Sequence, residues 1–74
     1  MKKLYAIYDK LLTVYHAPLV FRSDAEALRT FRILSEDKST QIGSSPEDYC
    51  MCYLGEMDET TGELKAPELP KILK

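Results

Sequence analysis

The two cysteines are the residues of this chain with the widest range of possible chemistry. Cys50 and Cys52 stand two positions apart, and on a β-strand this spacing directs both thiols to the same face. Their Cα atoms would then lie near the upper limit for an unstrained disulfide. Because His16 is the only histidine, Cys and His alone cannot give four zinc ligands within one chain. We interpret the pair as two small buried side chains, with redox or metal chemistry across a dimer as the alternative.

No other group of residues indicates a catalytic site. Nucleophilic catalysis would need His16, and nothing in the sequence places this histidine near a nucleophile, so we interpret it as a surface or strand-end residue. The three glycines stand alone, whereas a phosphate-binding loop needs several together. The acidic pairs Glu36-Asp37, Glu47-Asp48 and Asp58-Glu59 lie in turn-like segments, where carboxylates favour local backbone hydrogen bonds and solvent. We therefore expect no enzyme activity, no cofactor and no metal site.

Tyrosines and basic residues remain as candidates for a binding site. The chain has five tyrosines, and an open sheet face with tyrosines beside lysines or arginines can stack on unpaired bases, at about 1–3 kcal/mol per base. The alternative is that the rings pack beneath a helix or in a dimer interface, with their hydroxyls at the rim. The candidate nucleic-acid-binding residues are Lys2, Lys3, Tyr5, Tyr8, Lys10, Arg22, Arg29, Arg32, Tyr49 and Tyr53.

The charges are distributed unevenly along the chain. Residues 1–33 carry six basic and three acidic side chains, a balance of +3, whereas residues 34–74 carry four basic and nine acidic ones, a balance of −5. This asymmetry favours an anionic partner for the first half. The alternative is that the two halves neutralise each other within the folded monomer or across a dimer.

Length and composition indicate one small folded domain. The chain has 74 residues, of which 45% are hydrophobic and 30% charged, close to the globular average. A domain of this size has a small core and is marginally stable alone. No apolar stretch approaches the roughly 20 residues of a membrane span. The segment after Lys2-Lys3 is interrupted by Tyr5, Asp9 and Lys10, unlike a signal peptide, so we expect a cytoplasmic protein.

Local patterns predict several short strands. Tyr49, Met51 and Tyr53 would share one strand face, with Cys50, Cys52 and Leu54 on the other. Residues 58–62 have the composition of a hairpin loop, in which Gly62 can adopt a positive φ. The strand predictions are residues 3–8, an uncertain second strand or ordered loop over 11–16, a short buried run at 19–21, and strands over 49–57 and 63–66.

One amphipathic helix is predicted after Ser23. Ser23 and Glu26 form a capping box, in which each side chain accepts a hydrogen bond from the other residue's backbone N–H. Residues 25–34 then place Ala27, Leu28, Phe31 and Leu34 on one apolar face. Residues 35–48 are expected to form a polar connector, and residues 67–74 a tail broken by prolines.

Together these elements predict an α+β fold. It consists of a small, mainly antiparallel sheet of three to four strands in β(β)αββ order, with one face covered by the single helix. Residues 1–66 would form the domain, and residues 67–74 the tail.

Three segments of the chain, taken in order, resemble the small nonstructural protein of gokushoviruses, which are bacterial viruses of the Microviridae. They are residues 4–10 (LYAIYDK), residues 23–31 (SDAEALRTF), and residues 46–49 (PEDY) followed by residues 53–64 (YLGEMDETTGEL). The resemblance extends from Met1 to about Pro70. It implies a role in viral DNA synthesis, in which single-stranded genomes are favoured over duplex replication, and a location in the host bacterial cytoplasm.

The resemblance, the basic first half and the tyrosines lead to the hypothesis of a non-enzymatic phage protein that binds single-stranded DNA. The alternative is a protein-interaction module for the viral replication initiator, the procapsid or a host replication factor, with the extended tail as a docking segment. We expect a homodimer in either case, because a small sheet has exposed edges and pairing enlarges the buried core.

Overall fold

The computed structural model describes all 74 residues, which form six strands and two helices. A 3₁₀ turn at Pro46–Asp48 precedes the strand Tyr49–Met57. The longest helix has 13 residues, and no helix is long and apolar enough to cross a membrane. In chain order the elements are β1 (Lys2–Asp9), β2 (Val14–Tyr15), β3 (Leu19–Phe21), α1 (Asp24–Glu36), α2 (Gln41–Ser44), β4 (Tyr49–Met57), β5 (Leu64–Lys65) and β6 (Lys71–Ile72).

The sheet is built around the antiparallel pair β1 and β4. β2 and β3 both pair with the outer edge of β1, and β5 and β6 both pair with the outer edge of β4. The predicted α+β class, with one main helix on a mainly antiparallel sheet, is therefore confirmed. The strand number is higher than the expected three to four, because each edge consists of two short strands.

A β-bulge in β4 sets the register of the central pair. Leu4 pairs with Gly55 and Tyr5 pairs with Tyr53, so Leu54 is the extra residue. Gly55 has a φ of +142°, and a Cβ at this position would lie 2.3 Å from the carbonyl oxygen of Lys65 in β5. Only glycine allows both the backbone conformation and the close approach of the edge strand.

The hydrophobic core lies between the sheet and α1. Tyr5 and Tyr49 belong to this core, as does Phe31 from the helix. Ile42 of α2 packs against the same cluster, so both helices lie on the same side of the sheet. The core cluster consists of Tyr5, Ile7, Ala27, Phe31, Tyr49 and Met51.

The other side of the sheet carries no helix, and we call it the open face. Its members are identified by strand alternation and by direct cross-strand pairing, since partners in an antiparallel sheet share a face. They are Lys2, Leu4, Ala6, Tyr8, Tyr15, Val20, Cys50, Cys52, Met57, Leu64 and Ile72. Leu54, the extra residue of the bulge, is not assigned to either face.

The start of α1 follows the sequence prediction with one difference. The backbone N–H of Glu26 donates to the side-chain oxygen of Ser23 at 3.2 Å, as expected for an N-cap. The carboxylate of Glu26, however, accepts from the backbone N–H of Arg22 at 2.9 Å instead of that of Ser23. The reciprocal half of the capping box is therefore made one residue earlier.

The segment predicted as a polar connector is partly helical. α1 continues to Glu36, and a second short helix, α2, follows at Gln41–Ser44. The side chain of Thr40 caps α2 by accepting from the backbone N–H of Gly43 at 2.9 Å. Gly43 allows α2 to pack closely on the end of α1, since a Cβ there would lie 1.8 Å from the carbonyl oxygen of Asp37. Sequence periodicity could not show this contact because the two groups are six residues apart.

The end of the chain is part of the sheet, although the sequence predicted a tail over residues 67–74. Lys71 and Ile72 form β6, which pairs with Tyr53 and Cys52 of β4. Leu73 then donates its backbone N–H to the carbonyl oxygen of Met51 at 2.9 Å, and its side chain packs against the core. The two prolines exclude regular structure only up to residue 70.

Tyr5 connects the sheet to the helix. Its hydroxyl donates a hydrogen bond of 2.7 Å to Asp24 in the first turn of α1. Its ring makes edge contacts with Phe21 and Tyr53, at centroid distances of 5.6 and 5.4 Å. Burial, followed by the neighbouring Asp24 carboxylate, raises the pKa of Tyr5 far above the usual tyrosine value.

Replacing Gly43 by alanine is expected to destabilise the fold by about 2–3 kcal/mol, because the added methyl group overlaps the backbone at the end of α1. Gln41→Ala is the matched control: Gln41 is exposed in the same short helix and should change the free energy of unfolding by less than about 0.5 kcal/mol. Urea unfolding followed by circular dichroism measures both. Equal stability of the two variants would contradict the close contact.

Stability is expected to fall as the pH rises above about 10, the ordinary tyrosine pKa. In the unfolded chain Tyr5 ionises there, whereas in the folded protein it stays protonated, so the unfolded state gains up to about 1.4 kcal/mol per pH unit from this residue. Tyr5→Phe removes this contribution. Its unfolding free energy should therefore decrease less than that of the parent protein between pH 9.5 and about 11; parallel decreases would refute the assignment.

Candidate nucleic-acid interface

Three of the tyrosines predicted as base-stacking residues lie beneath α1. Tyr5 is fully buried and Tyr49 is 7% exposed, and the half-buried Tyr53 packs against the same core. Burial raises the pKa of Tyr49 and of Tyr53. A ring that is enclosed by protein cannot stack on a base, so the prediction is wrong for Tyr5 and Tyr49, and the alternative of rings packed under the helix applies.

The other predicted tyrosine, Tyr8, lies on the open face beside Tyr15. The two residues are cross-strand partners, and the centroids of their rings are 4.6 Å apart. Tyr15 is 47% exposed, which makes it the most accessible tyrosine of the chain, although the sequence analysis did not select it. A hairpin between the strands predicted over residues 3–8 and 11–16 is the signal that could have paired Tyr15 with Tyr8.

The lysines of the first half do not come together with the arginines. Lys2 and Lys3 are neighbours on β1 and therefore point to opposite faces of the sheet. Lys10 follows the last residue of β1 and is exposed, so it lies at the other end of this strand from Lys2. Three of the predicted phosphate contacts are thus scattered over the sheet.

A groove along α1 does collect basic residues. It has a volume of about 350 Å³ and runs between α1 and the chain segment that follows β6. Arg29 and Arg32 are three residues apart and so lie on the same side of the helix, and Lys74 approaches from the end of the chain. The groove is lined by Ala25, Leu28, Arg29, Phe31, Arg32, Ser35 and Lys74.

No ion pair neutralises the basic side chains of this groove. The two ion pairs of the protein join the amino terminus to Glu59 and Arg22 to Glu26, so Arg29, Arg32 and Lys74 have no salt-bridge partner. No acidic residue lines the groove. Lys74 was not among the predicted site residues, because only the pairing of the last strand with β4 brings it to the helix.

Arg22 lies in an adjoining recess together with Arg29. Its guanidinium approaches the carboxylate of Glu26 at 3.2 Å. The hydrogen bond from the Arg22 backbone amide, then the Arg22 guanidinium and the nearby Arg29, lower the pKa of Glu26. Glu26 therefore pairs with Arg22 and also offsets part of the charge of Arg29, with which it forms no ion pair.

This arrangement suits a phosphodiester strand. Unpaired guanidinium and ammonium groups bind phosphate oxygens. The accessible part of the apolar floor, at Ala25 and Leu28, offers a contact surface to an unpaired base, whereas Phe31 beneath it is only 7% exposed. The structure thus brings together Arg29 and Arg32 with Arg22 close by, and it separates them from Lys2, Lys3, Lys10 and the buried tyrosines.

The residues considered for catalysis occupy structural positions. Asp37 accepts hydrogen bonds from the backbone and hydroxyl of Ser39, at 3.0 and 2.6 Å. Asp58 accepts from the backbone N–H groups of Thr60 and Thr61 in the predicted hairpin loop, where Gly62 has a φ of +78°. His16 follows β2, and its ring contacts the edge of Tyr49 at 5.9 Å.

The cysteines are small buried side chains, as interpreted from the sequence. Both thiols are free and buried on the open-face side of β4, and their sulfur atoms are 3.8 Å apart. Burial, together with the neighbouring Cys50 thiol, raises the pKa of Cys52 to about 11. The sulfur atoms are therefore in contact without being bonded.

Comparison with known proteins gives one match. A family model described as Phage ORF5 protein matches residues 2–74, almost the whole chain. No curated protein and no solved structure is similar enough to the chain to count as a match.

Both cysteines are expected to resist a chromogenic aromatic disulfide reagent at pH 8 in the folded protein, because the thiolate is the reactive form and Cys52 is protonated and buried. In denaturant two thiols per chain should react at once. Thr60→Cys, which adds a thiol to the exposed hairpin loop, is the positive control and should show one fast thiol in the folded state. Rapid reaction of two thiols in the folded parent protein would contradict the burial.

Proposed function

The chain belongs to the Phage ORF5 protein family and is therefore a bacteriophage protein, and from this premise we propose that it is a non-enzymatic protein that binds single-stranded DNA in the groove along α1. The observation that carries this proposal is the cluster of unpaired Arg29, Arg32 and Lys74 around an apolar floor. Such a site combines the electrostatic and the apolar contact that an unpaired strand offers.

The biological role in this proposal follows from the resemblance to gokushovirus nonstructural proteins. A protein that holds newly displaced single strands in the host bacterial cytoplasm would favour single-stranded genome synthesis over duplex replication. A base that is stacked in a duplex is not available for contact with the apolar floor, which favours an unpaired strand. Lys2, Lys3 and Lys10 would contribute only to the general field of the basic half.

The charge of the whole protein limits the affinity that we expect. The net charge is −2, and the acidic residues of the second half repel DNA at long range. Most of these acids lie outside α1, among them Glu47, Asp48 and Asp58 in turns at the ends of the sheet, whereas Glu36 ends the helix one turn after Arg32. Binding should therefore be modest and sensitive to salt, because phosphate contacts release counterions.

Fluorescence anisotropy of a labelled single-stranded oligonucleotide, at low and moderate salt and with duplex DNA as competitor, tests the proposal. The double variant Arg29→Gln, Arg32→Gln is expected to bind about tenfold more weakly at low salt. Its slope of log affinity against log salt should be shallower by about 1.4, since each lost phosphate contact on a single strand contributes about 0.7. The duplex should compete poorly.

The matched control removes the same charge elsewhere. Lys10→Gln combined with Lys65→Gln changes two exposed lysines at distant ends of the sheet and should keep the affinity within about twofold, because screening weakens distant charges. Equal losses in both double variants would reject the groove as the site. No binding of the parent protein even at low salt would reject DNA as the ligand and move the function to a protein partner such as the replication initiator, the procapsid or a host replication factor.

A further inference from the structure

The open face is an apolar side of the sheet that no helix covers. Several of its side chains are exposed although they are hydrophobic: Val20 is 55%, Ile72 is 69% and Leu64 is 64% exposed. Tyr8 and Tyr15 lie on the same face. A contiguous exposed apolar surface on a small protein is typical of an interaction site.

Charge distinguishes the open face from the rest of the molecule. Lys2, at its end, is the only charged residue on it, although 30% of all residues are charged. The helix-covered side of the sheet, in contrast, carries Lys3, Glu56, Lys65 and Lys71 at its ends. DNA would find almost no phosphate partner on the open face, whereas a second, equally neutral surface could approach it without repulsion.

The side chains of the open face differ in size and exposure in a way that allows two copies of the face to pack together. Its centre is formed by small buried side chains, Ala6, Cys50 and Cys52. Larger side chains such as Val20 and Ile72 project around this floor. When two sheets pack face to face, the side chains that project from each sheet interdigitate, so the exposed apolar side chains of this face can pack between those of its own copy.

We propose that the open face is a homodimer interface, with a second copy of this chain as its occupant. The size of the face is close to what a small interface requires. β1 has eight residues, or about 26 Å at 3.3 Å per residue, and the sheet is four strands or about 19 Å wide. The resulting flat area is about 500 Å², and the side chains that project from it add accessible surface. The total approaches the 600–800 Å² that each partner contributes to a small specific interface.

Pairing through this face also explains the proportions of the monomer. Only 12 of 74 residues are buried, which is a small core for a folded domain. The dimer would consist of two sheets packed face to face with α1 of each copy on the outside. Both α1 grooves would remain accessible, so dimer formation does not depend on the proposed DNA binding.

The test is the mass of the protein in solution, measured by sedimentation equilibrium at tens of micromolar. The parent chain is expected to sediment as a dimer of twice its 8.5 kDa mass. Val20→Lys places a charge at the interface and should give a monomer with an unchanged circular dichroism spectrum. Ile33→Lys is the matched control, because Ile33 has nearly the same exposure (57%) but lies on α1, and this variant should remain a dimer.

Ile72→Lys provides a second substitution on the open face in case Val20→Lys fails to fold. A monomeric parent protein would overturn the proposal, and so would dimers that persist in both open-face variants or that dissociate in Ile33→Lys. The monomeric variants should keep their salt-dependent affinity for the oligonucleotide per chain. The double variant Arg29→Gln, Arg32→Gln should lose DNA binding and remain a dimer. The DNA-binding proposal and the dimer proposal are therefore tested independently of each other.

Discussion

β1 and β4 exchange backbone hydrogen bonds along almost their whole length, and every other strand pairs with one of these two. The pair is formed by residues about fifty positions apart, so closing it requires the loss of much chain entropy. Burial of Tyr5 and Met51 on one side and of Ala6 and Cys52 on the other offsets this cost. The bulge at Leu54 is accommodated because Gly55 allows it.

A single helix of 13 residues covers only one face of such a sheet, and this limit determines the rest of the surface. On the covered side, large side chains such as Phe31 and Tyr49 fill the space between helix and sheet. On the other side no helix covers the centre, and the small residues Ala6, Cys50 and Cys52 are enclosed by larger side chains of the same face, Tyr15 among them. Exposed apolar residues surround them, and a second copy of the chain would remove these residues from water.

The groove along α1 depends on the same limit. One flank of the helix faces the sheet, and the next flank, which carries Arg29 and Arg32, is left beside the edge formed by β6. The short strand Lys71–Ile72 holds Leu73 in the core and thereby places Lys74 next to the arginines. Two structural features that serve stability, the helix cover and the closed sheet edge, thus create the site that we propose for DNA.

The sequence by itself determined the local elements. The Ser23 cap and the spacing of Ala27 and Phe31 predicted the helix, and alternation predicted that Tyr49 and Cys50 point to opposite faces, because both patterns depend only on near neighbours. Tertiary structure decided which of these faces is covered. It buried Tyr5 and Tyr49, which the sequence had offered as binding residues.

Contacts between distant residues decided the site as well. The sequence predicted a tail at the end of the chain, because no local pattern indicates that Lys71–Ile72 pairs with β4. Lys74 reaches the arginines through that pairing, and α2 packs on the end of α1 because Gly43 leaves room for the carbonyl oxygen of Asp37. Short-range periodicity therefore specified what each segment is, whereas long-range packing, which no spacing rule encodes, specified which side chains remain available to a partner.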